Sequence, residues 1–292
     1  MDLSQAIRDK ARELLETGAV KCVIGYETGT DGINARPAFI YEAAEVDRLI
    51  FDETCGHNLA TYLLHHRAEN IAVVVKPCDS RAINLLHGEH QIERDKVYII
   101  GVVCPGVVGR QWGVKGRQLL PACQACTDRN PVVYDYLVGE PVAEGAPAPA
   151  PPLPEVEDLE RMPPEERCQF WRREFERCIR CYACRQACPG CQCTECFVER
   201  LEPEWVGIRI DAPQNWMWHT IRAFHLAGRC IECQACRRAC PVDIRLDLLN
   251  HKLAWEVAQL FNFRPGMTAE ALFPLATFVR DEKLGVGEWA SS

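Results

Sequence analysis

Cysteines are the residues of this 292-residue chain best suited to chemistry: there are 18, and 12 of them lie between Cys168 and Cys240. Eight of these form two runs with one spacing. The runs are Cys178-x2-Cys181-x2-Cys184-x3-Cys188-Pro189 and Cys230-x2-Cys233-x2-Cys236-x3-Cys240-Pro241. Thiolates are ligands of iron–sulfur clusters and of zinc, so the two runs predict metal sites.

The spacing of both runs matches that of bacterial two-cluster ferredoxins, in which the fourth cysteine of each run binds the other cluster. We therefore assign one 4Fe-4S cluster to Cys178, Cys181, Cys184 and Cys240. We assign the other to Cys230, Cys233, Cys236 and Cys188. Zinc is the alternative, because CxxC pairs also bind it tetrahedrally. Two complete frames that both end in Cys-Pro favour the clusters.

A third group, Cys191-x-Cys193-x2-Cys196, lies between the two runs and does not belong to the ferredoxin pattern. Three closely spaced thiols suggest an additional metal site, either a further iron–sulfur cluster or zinc. Free thiols are the alternative. A fourth ligand would come from Cys168, from Cys55 or from a non-protein group. For Cys168 itself, we expect a buried structural thiol in a helix.

Four of the six cysteines in the first half of the chain are further candidate ligands. Cys78 and Cys104 each follow directly after a short run of buried, β-branched type. The carboxyl ends of parallel strands meet at one edge of an open sheet, which is where sites form. Cys123-x2-Cys126 follows shortly afterwards. The four thiols could bind a third 4Fe-4S cluster, and a role as core residues is the alternative.

The elements that must position these cysteines fall into two domains. Strand and helix patterns alternate over residues 1–140, which predicts an α/β domain with a mainly parallel sheet. Residues 141–165 are rich in Ala and Pro and predict an extended linker. Residues 166–250 then form a mostly α-helical dicluster ferredoxin-type domain, and residues 251–292 a helical C-terminal extension.

Charge and hydropathy limit the classes of function. The net charge of -8 argues against a nucleic-acid partner, since there is no basic excess to neutralise phosphates. No apolar run approaches the roughly 20 residues that span a bilayer. Charges interrupt the N-terminal segment, so we expect no signal peptide and a cytoplasmic protein. In that compartment thiols stay reduced, and clustered cysteines act as metal ligands.

A family resemblance is carried by three segments. They are Val74-Val75-Lys76-Pro77-Cys78-Asp79, Asp95-Lys96-Val97-Tyr98-Ile99-Ile100-Gly101-Val102-Val103-Cys104 and Cys123-Gln124-Ala125-Cys126. With them, residues 18–140 resemble the beta subunit of the deazaflavin-coenzyme-reducing hydrogenases and formate dehydrogenases. The resemblance implies one 4Fe-4S cluster on these four cysteines, beside an FAD. However, the glycine pair of the family's flavin-binding segment and the C-terminal part of its flavin domain are not found, which argues against FAD.

These observations predict an electron-transfer subunit with three 4Fe-4S clusters, or four if the Cys191 group binds one, and with no catalytic residues of its own. The resemblance implies partner subunits: a formate dehydrogenase or hydrogenase catalytic subunit, or a heterodisulfide-reductase-like flavoprotein. The alternative is an FAD-containing subunit that reduces or oxidises a soluble deazaflavin or nicotinamide. A zinc-binding structural protein is a third hypothesis.

Overall fold

The computed structural model describes residues 2–110, 116–143, 153–271 and 273–274, and its first part is built on a mixed sheet. The sheet strands are Cys22–Thr28 (β1), Ala35–Ile40 (β2), Ile71–Val75 (β3), Val97–Val102 (β4) and Tyr136–Val138 (β7). Their order is β2-β1-β3-β4-β7. The pair β1–β2 is antiparallel, and the pairs β1–β3, β3–β4 and β4–β7 are parallel. The sheet is therefore mainly parallel, as the sequence predicts.

The centre of the sheet is the core of this part. Every residue of β3 is buried, and its β-branched side chains suit a strand that is covered on both faces. Helix α1, Leu3–Glu16, covers one face with Ile7, Ala11 and Leu14, which recur at helical spacing. Helix α2, Pro77–Gly88, begins directly after β3. The carboxyl end of β3 is thereby joined to the start of a helix.

Smaller elements surround the edge of the sheet from which α2 begins. Val108–Arg110 (β5) and Arg117–Leu119 (β6) form an antiparallel hairpin, and Pro121–Gln124 (α3) follows it. Short 3-10 helices span Ala43–Arg48, Leu59–His65, Arg94–Lys96 and, later in the chain, Phe197–Glu199.

Helices dominate the described elements of the second part. They are Pro154–Arg161 (α4), Pro164–Glu176 (α5), Ala183–Gln186 (α6), Ala212–Leu226 (α7), Ala235–Arg238 (α8) and Leu246–Phe261 (α9). Helix α7 packs against α5 and α9, and α6 packs against α8. No helix within the described ranges is long and apolar enough to cross a membrane.

The segment expected to be an extended linker is helical in its second half. Residues 144–152 lie outside the described residues, but Pro154–Arg161 form α4, and α5 begins at Pro164. Apolar residues recur at helical spacing within this proline-rich segment. Leu153, Val156 and Leu159 are buried against Leu248 of α9. A proline at the first helical position is compatible with a helix, because it lacks only an N–H that would stay unpaired there.

The chain beyond α9 returns to the first part. Arg81 of α2 donates to the carbonyl of Pro265 at 3.1 Å, and Asn84 donates to that of Gly266 at 3.1 Å. A Cβ on Gly266 would lie 2.0 Å from the Arg81 carbonyl oxygen, so only glycine permits this approach. The predicted helical extension over 251–292 is helical to Phe261, irregular over 262–271, and almost wholly outside the described residues after that.

Candidate metal centres

The two ferredoxin-type runs have the same backbone conformation. Two residues in each have positive φ angles at equivalent positions: Arg180 (47°) and Tyr182 (57°) in the first, and Glu232 (61°) and Gln234 (54°) in the second. In both runs a four-residue helix, α6 or α8, then carries the third cysteine. Left-handed residues other than glycine are uncommon, so their repetition indicates a shape imposed on both runs.

Hydrogen-bond donors point at several of these thiols. The Arg180 N–H lies 3.3 Å from Sγ of Cys178, and the Ile244 N–H lies 3.4 Å from Sγ of Cys240. The Asn250 amide lies 3.6 Å from Sγ of Cys236. Hydrogen bonds to ligand sulfurs stabilise thiolates and tune cluster potentials. Four thiols in each set, with donors aimed at them, fit the chemistry of a 4Fe-4S cluster.

The fourth cysteine of each run lies near the other run. Burial raises the pKa of Cys178, and Cys240 and Cys181 raise it further as neighbouring thiols. Cys191 and burial have the largest effects on Cys188 and raise its pKa, and Cys236 of the second run raises it as well. Packing of α6 against α8 brings the two runs together. The cysteines of the two runs are therefore neighbours, and the crossed assignment of cluster ligands stays a prediction.

Helix α7 closes the first set from one side. Asn215 is buried and donates to the carbonyls of Phe175 and Cys178, both at 2.9 Å. One turn further along, the Trp218 ring packs edge-on against Tyr182 at 5.1 Å between ring centroids. This wall keeps water away from the first run, and lower water access is one of the factors that set a cluster potential.

Several exposed residues, most of them apolar, lie in or beside the first run. Cys181 is exposed, and Ile179 beside it is half exposed. The Arg180 guanidinium donates to the carbonyls of residues 207, 208 and 209, which holds that loop next to Ile179. Ile208 on the loop is 87% exposed, and Trp205 and Ile210 are also largely exposed. Exposed apolar surface of this kind is typical of a protein–protein contact.

The four N-terminal cysteines meet at the carboxyl edge of the sheet. Cys78 is in the first turn of α2, directly after β3, and Cys104 follows β4. Cys104 raises the pKa of Cys78, Cys123 raises that of Cys104, and Cys123 also raises that of Cys126, in each case after the larger effect of burial. The Val107 N–H lies 3.3 Å from Sγ of Cys123. The structure therefore brings together the four residues implied by the resemblance.

A buried charged network lies behind Cys78. The ammonium of Lys76, 2% exposed, donates to Asp79 at 2.8 Å, to the His57 carbonyl at 2.9 Å and to the Tyr26 hydroxyl. Burial lowers the pKa of Lys76, but Asp79 and Tyr26 outweigh it and raise the pKa well above its ordinary value. Sequence reasoning treated Lys76 only as part of a motif. A lysine directly after a wholly apolar strand was the signal for this network.

The N-terminal set adjoins the second ferredoxin-type run. Cys233 is one of the thiols whose charge raises the pKa of Cys78. A cavity of about 70 Å³ is lined by cysteines of both regions, namely Cys78, Cys123, Cys126 and Cys233. Ion pairs close its rim, since Arg264 lies 2.6 Å and Arg81 3.2 Å from Asp128.

A larger cavity of about 630 Å³ lies between the sheet domain and the ferredoxin-type runs. His57, Asn58 and Tyr62 line it from the first part, and Gln186 and Arg238 from the second. Its volume is in the range of pockets that hold small molecules and cofactors.

The Cys191 group is only partly buried: Cys191 is half-buried, Cys193 is exposed and Cys196 is buried. Of the residues considered as a fourth ligand, Cys168 is exposed on α5, which corrects the expectation that it is buried. Cys55 is buried in the core of the sheet domain. Within the described ranges no three His, Cys, Asp or Glu residues are close enough together to hold a single metal ion. Cluster thiolates each bind a different iron and lie further apart. The additional site remains a prediction.

Sequence reasoning also missed Arg222. Its side chain is buried on α7, donates to the Cys184 carbonyl at 3.1 Å, and has an Nε atom without a hydrogen-bond partner among the residues that the structure describes. Thiols of both runs, including Cys184, Cys188 and Cys236, raise its pKa against the lowering effect of burial. Arg222 follows Asn215 and Trp218 at helical spacing, so the pattern of α7 was a signal that this residue faces the cysteines.

Comparison with known proteins bears on both parts of the chain. Residues 177–245 match a family model described as a 4Fe-4S dicluster domain. The chain is 26% identical to the F420-dependent formate dehydrogenase subunit beta of Methanocaldococcus jannaschii, over 87% of this chain and 89% of that protein. It is 24% identical to F420-dependent formate dehydrogenase 1 subunit beta of Methanococcus maripaludis, over 88% and 89%. The chain thus carries a 4Fe-4S dicluster domain and resembles formate dehydrogenase beta subunits along most of its length, which confirms the resemblance read from its sequence.

Proposed function

We propose that this chain is the iron–sulfur electron-transfer subunit of a cytoplasmic oxidoreductase complex in an anaerobic cell, with three 4Fe-4S clusters. When bound, such clusters take up and release single electrons. The observation that carries the proposal is the arrangement of the three cysteine sets. The Cys230 set lies between the other two, since Cys236 adjoins the first run through Arg222 and Cys233 adjoins Cys78.

The residues around the sets support a role in conducting electrons without chemistry on a substrate. In the second set Cys236 is buried, and Cys188, Cys230 and Cys233 are half-buried. Packing of α6 against α8 holds the two runs against each other. Among the twelve cysteines of the three proposed sets, all of which lie within the described ranges, Cys181 of the first set is the one that is exposed. Electrons would therefore enter or leave the series at this end.

The open end is also where a partner subunit would bind. Ile179, Trp205, Ile208 and Ile210 are exposed apolar residues. Arg180 of the first run holds the segment 207–209 that carries Ile208, and we take the four residues together as one face. Two relatives are named as subunits of formate dehydrogenases, so we propose the catalytic subunit of a formate dehydrogenase as the occupant of this face. Substituting Ile208→Glu should abolish copurification of that subunit, whereas Leu260→Glu on the exposed end of α9 should leave it unchanged.

A reductive titration tests the proposed function. Protein purified without oxygen should take up about three electrons per chain, one for each 4Fe-4S cluster, and should turn over neither formate nor a deazaflavin when it is alone. Uptake of no electrons would contradict the proposal.

A second candidate function is a flavin-containing subunit that exchanges electrons with a soluble deazaflavin, as the names of the F420-dependent relatives suggest. The cavity of about 630 Å³ favours it, because this cavity adjoins both the ferredoxin-type runs and the sheet edge. A bound flavin would raise the uptake to about five electrons per chain and would give a flavin spectrum after denaturation. Absence of flavin after purification and after incubation with FAD would exclude this candidate.

A further inference from the structure

Arg81 of α2 lies at the boundary between the N-terminal cysteine set and the second ferredoxin-type run. Its side chain is 3% exposed, and it follows Cys78 by three residues in the same helix. Each nitrogen of the guanidinium faces a different segment. Nε donates to the Pro265 carbonyl at 3.1 Å, Nη1 lies 3.2 Å from Asp128, and Nη2 lies 3.9 Å from Glu232. One side chain therefore joins segments that are far apart in sequence.

Two of these segments belong to proposed cluster sites. Asp128 follows Cys126 of the N-terminal set by two residues. Glu232 lies within the second run, directly before Cys233, and has one of the positive φ angles that both runs share. Arg81 thus connects the loop that carries one cysteine set to the loop that carries the next.

The two carboxylates each have a second partner. Arg264 donates to both oxygens of Asp128, at 2.8 and 2.6 Å. The other oxygen of Glu232 lies 3.3 Å from Nδ1 of His251. All five side chains are 13% exposed or less. A buried charge is costly when its partner is removed, but replacing Arg81 leaves neither carboxylate without one. The protein should therefore fold when Arg81 is replaced.

The charge of Arg81 lies beside both sites. Arg81 lines the cavity of about 70 Å³ that Cys78, Cys126 and Cys233 also line. Its Nη2 makes no hydrogen bond to the described residues. A 4Fe-4S cluster held by four thiolates carries negative charge, so a fixed guanidinium here would stabilise the reduced state at either site.

We propose that Arg81 is a positioning residue for electron transfer between the N-terminal set and the second run. It holds the two loops together and keeps a positive charge between the two sites. In the transfer one electron passes from the reduced site to the oxidised one, and no bond forms or breaks. The rate of such a step falls steeply with distance, so it depends on how firmly the two loops are joined. This inference rests on the proposed function and adds a residue that the cysteine spacing does not identify.

Electron paramagnetic resonance of fully reduced protein, purified without oxygen, tests the proposal. Two reduced clusters that lie close together split or broaden each other's lines. Wild type should show this interaction, and C78S, which loses a ligand of the N-terminal cluster, should not. R81Q should keep about twelve irons per chain, but its interaction should be weaker.

Redox titration of the same proteins gives the second measurement. In R81Q the midpoint potentials of the N-terminal cluster and of the second cluster of the dicluster domain should fall, because a nearby positive charge is lost. The potential of the first cluster should not change. R94Q is the matched control: Arg94 also pairs with an aspartate, Asp135 at 2.6 Å, but within the sheet domain. It should match wild type in both measurements.

The proposal is overturned if R81Q keeps the wild-type interaction or the wild-type potentials of both neighbouring clusters. It is also overturned if wild type shows no interaction, or if R81Q loses about four irons, because Arg81 would then build a cluster site. If R81Q does not fold, E232Q replaces it, since this variant removes the charge that faces Arg81 from the second run. An unchanged interaction in E232Q would then overturn the proposal. Wild-type protein without iron would instead contradict the proposed function.

Discussion

Cys78 and Cys233 are neighbours in space although one follows a strand of the sheet domain and the other lies in the second ferredoxin-type run. The charge of Cys233 is one of the causes that raise the pKa of Cys78, and both side chains line the same small cavity. Residues of both parts surround them. Gly56 of the sheet domain is one, and its carbonyl accepts a hydrogen bond of 2.8 Å from Arg238 of the second run. The boundary between the two parts is therefore also the contact between two of the proposed cluster sites.

The N-terminal site should be separable from the dicluster domain. C78S should contain about four irons fewer than wild type, because one of the four thiols at the sheet edge is lost while both ferredoxin-type runs stay intact. C22S is the control, since Cys22 is buried in β1 and belongs to none of the proposed sets. Iron analysis distinguishes the outcomes: an unchanged content in C78S would show that Cys78 is not a ligand.

The buried charge of Arg222 should raise the potentials of both clusters of the dicluster domain. R222Q removes this charge from among thiols of both runs, so both midpoint potentials should fall by an amount on the order of tens of millivolts. Arg161→Gln, in an exposed ion pair on α4, should leave both unchanged. Redox titration followed by electron paramagnetic resonance measures the shifts. If neither midpoint potential falls in R222Q, the Arg222 charge does not raise the cluster potentials.

Removing one charge of the buried pair Lys76–Asp79 should lower the free energy of unfolding more than removing both charges. K76M leaves the buried Asp79 carboxylate without its cation, and should lower the free energy of unfolding by about 3–5 kcal/mol. K76M/D79N removes both charges and should recover part of that loss. Denaturant unfolding of wild type, K76M, D79N and K76M/D79N gives the coupling energy. A coupling energy near zero would show that the two groups do not interact.

His219 should make the fold sensitive to acid. Burial, together with the charge of Arg222, lowers its pKa to about 3, whereas the unfolded chain has a value of about 6.5. Below about pH 6.5 the His219 ring is protonated in the unfolded chain but stays neutral in the folded protein. The free energy of unfolding therefore has its full value above about pH 6.5 and falls by up to about 1.4 kcal/mol per pH unit as the pH is lowered.

H219F should flatten this dependence between pH 7.5 and 5.5. The ring of His219 stacks on Phe175 at 4.6 Å, so an aromatic replacement keeps the packing. H65Q, at an exposed position, serves as control. Denaturant unfolding at both pH values measures the effect, and a slope for H219F equal to that of wild type would mean that His219 is not its cause.

Much of the fold was predictable because it depends on local pattern. The run Ile71–Val75 is a strand with the predicted bounds, since five apolar residues between polar flanks allow little else. The motif spacing in turn identified the ferredoxin-type runs. The helix Pro154–Arg161 could not be predicted in the same way, because its stability comes from contact with Leu248, about 90 residues further along the chain.

The same limit applies to the site. Cysteine types and spacings identify sets of thiols, but the place of Cys233 beside Cys78 and of Arg222 between the two runs depends on how the parts pack. The aromatic residues near the runs illustrate the point. Trp218 is buried, whereas Trp205 and Trp216, which lie close to it in sequence, are 53% and 39% exposed.

The most direct test of the central claim is the total iron, zinc and flavin content per chain of protein purified without oxygen. About twelve irons without flavin is the result expected for three 4Fe-4S clusters in an electron-transfer subunit. Iron near zero together with abundant zinc would contradict the account, because the cysteine sets would then be structural zinc sites.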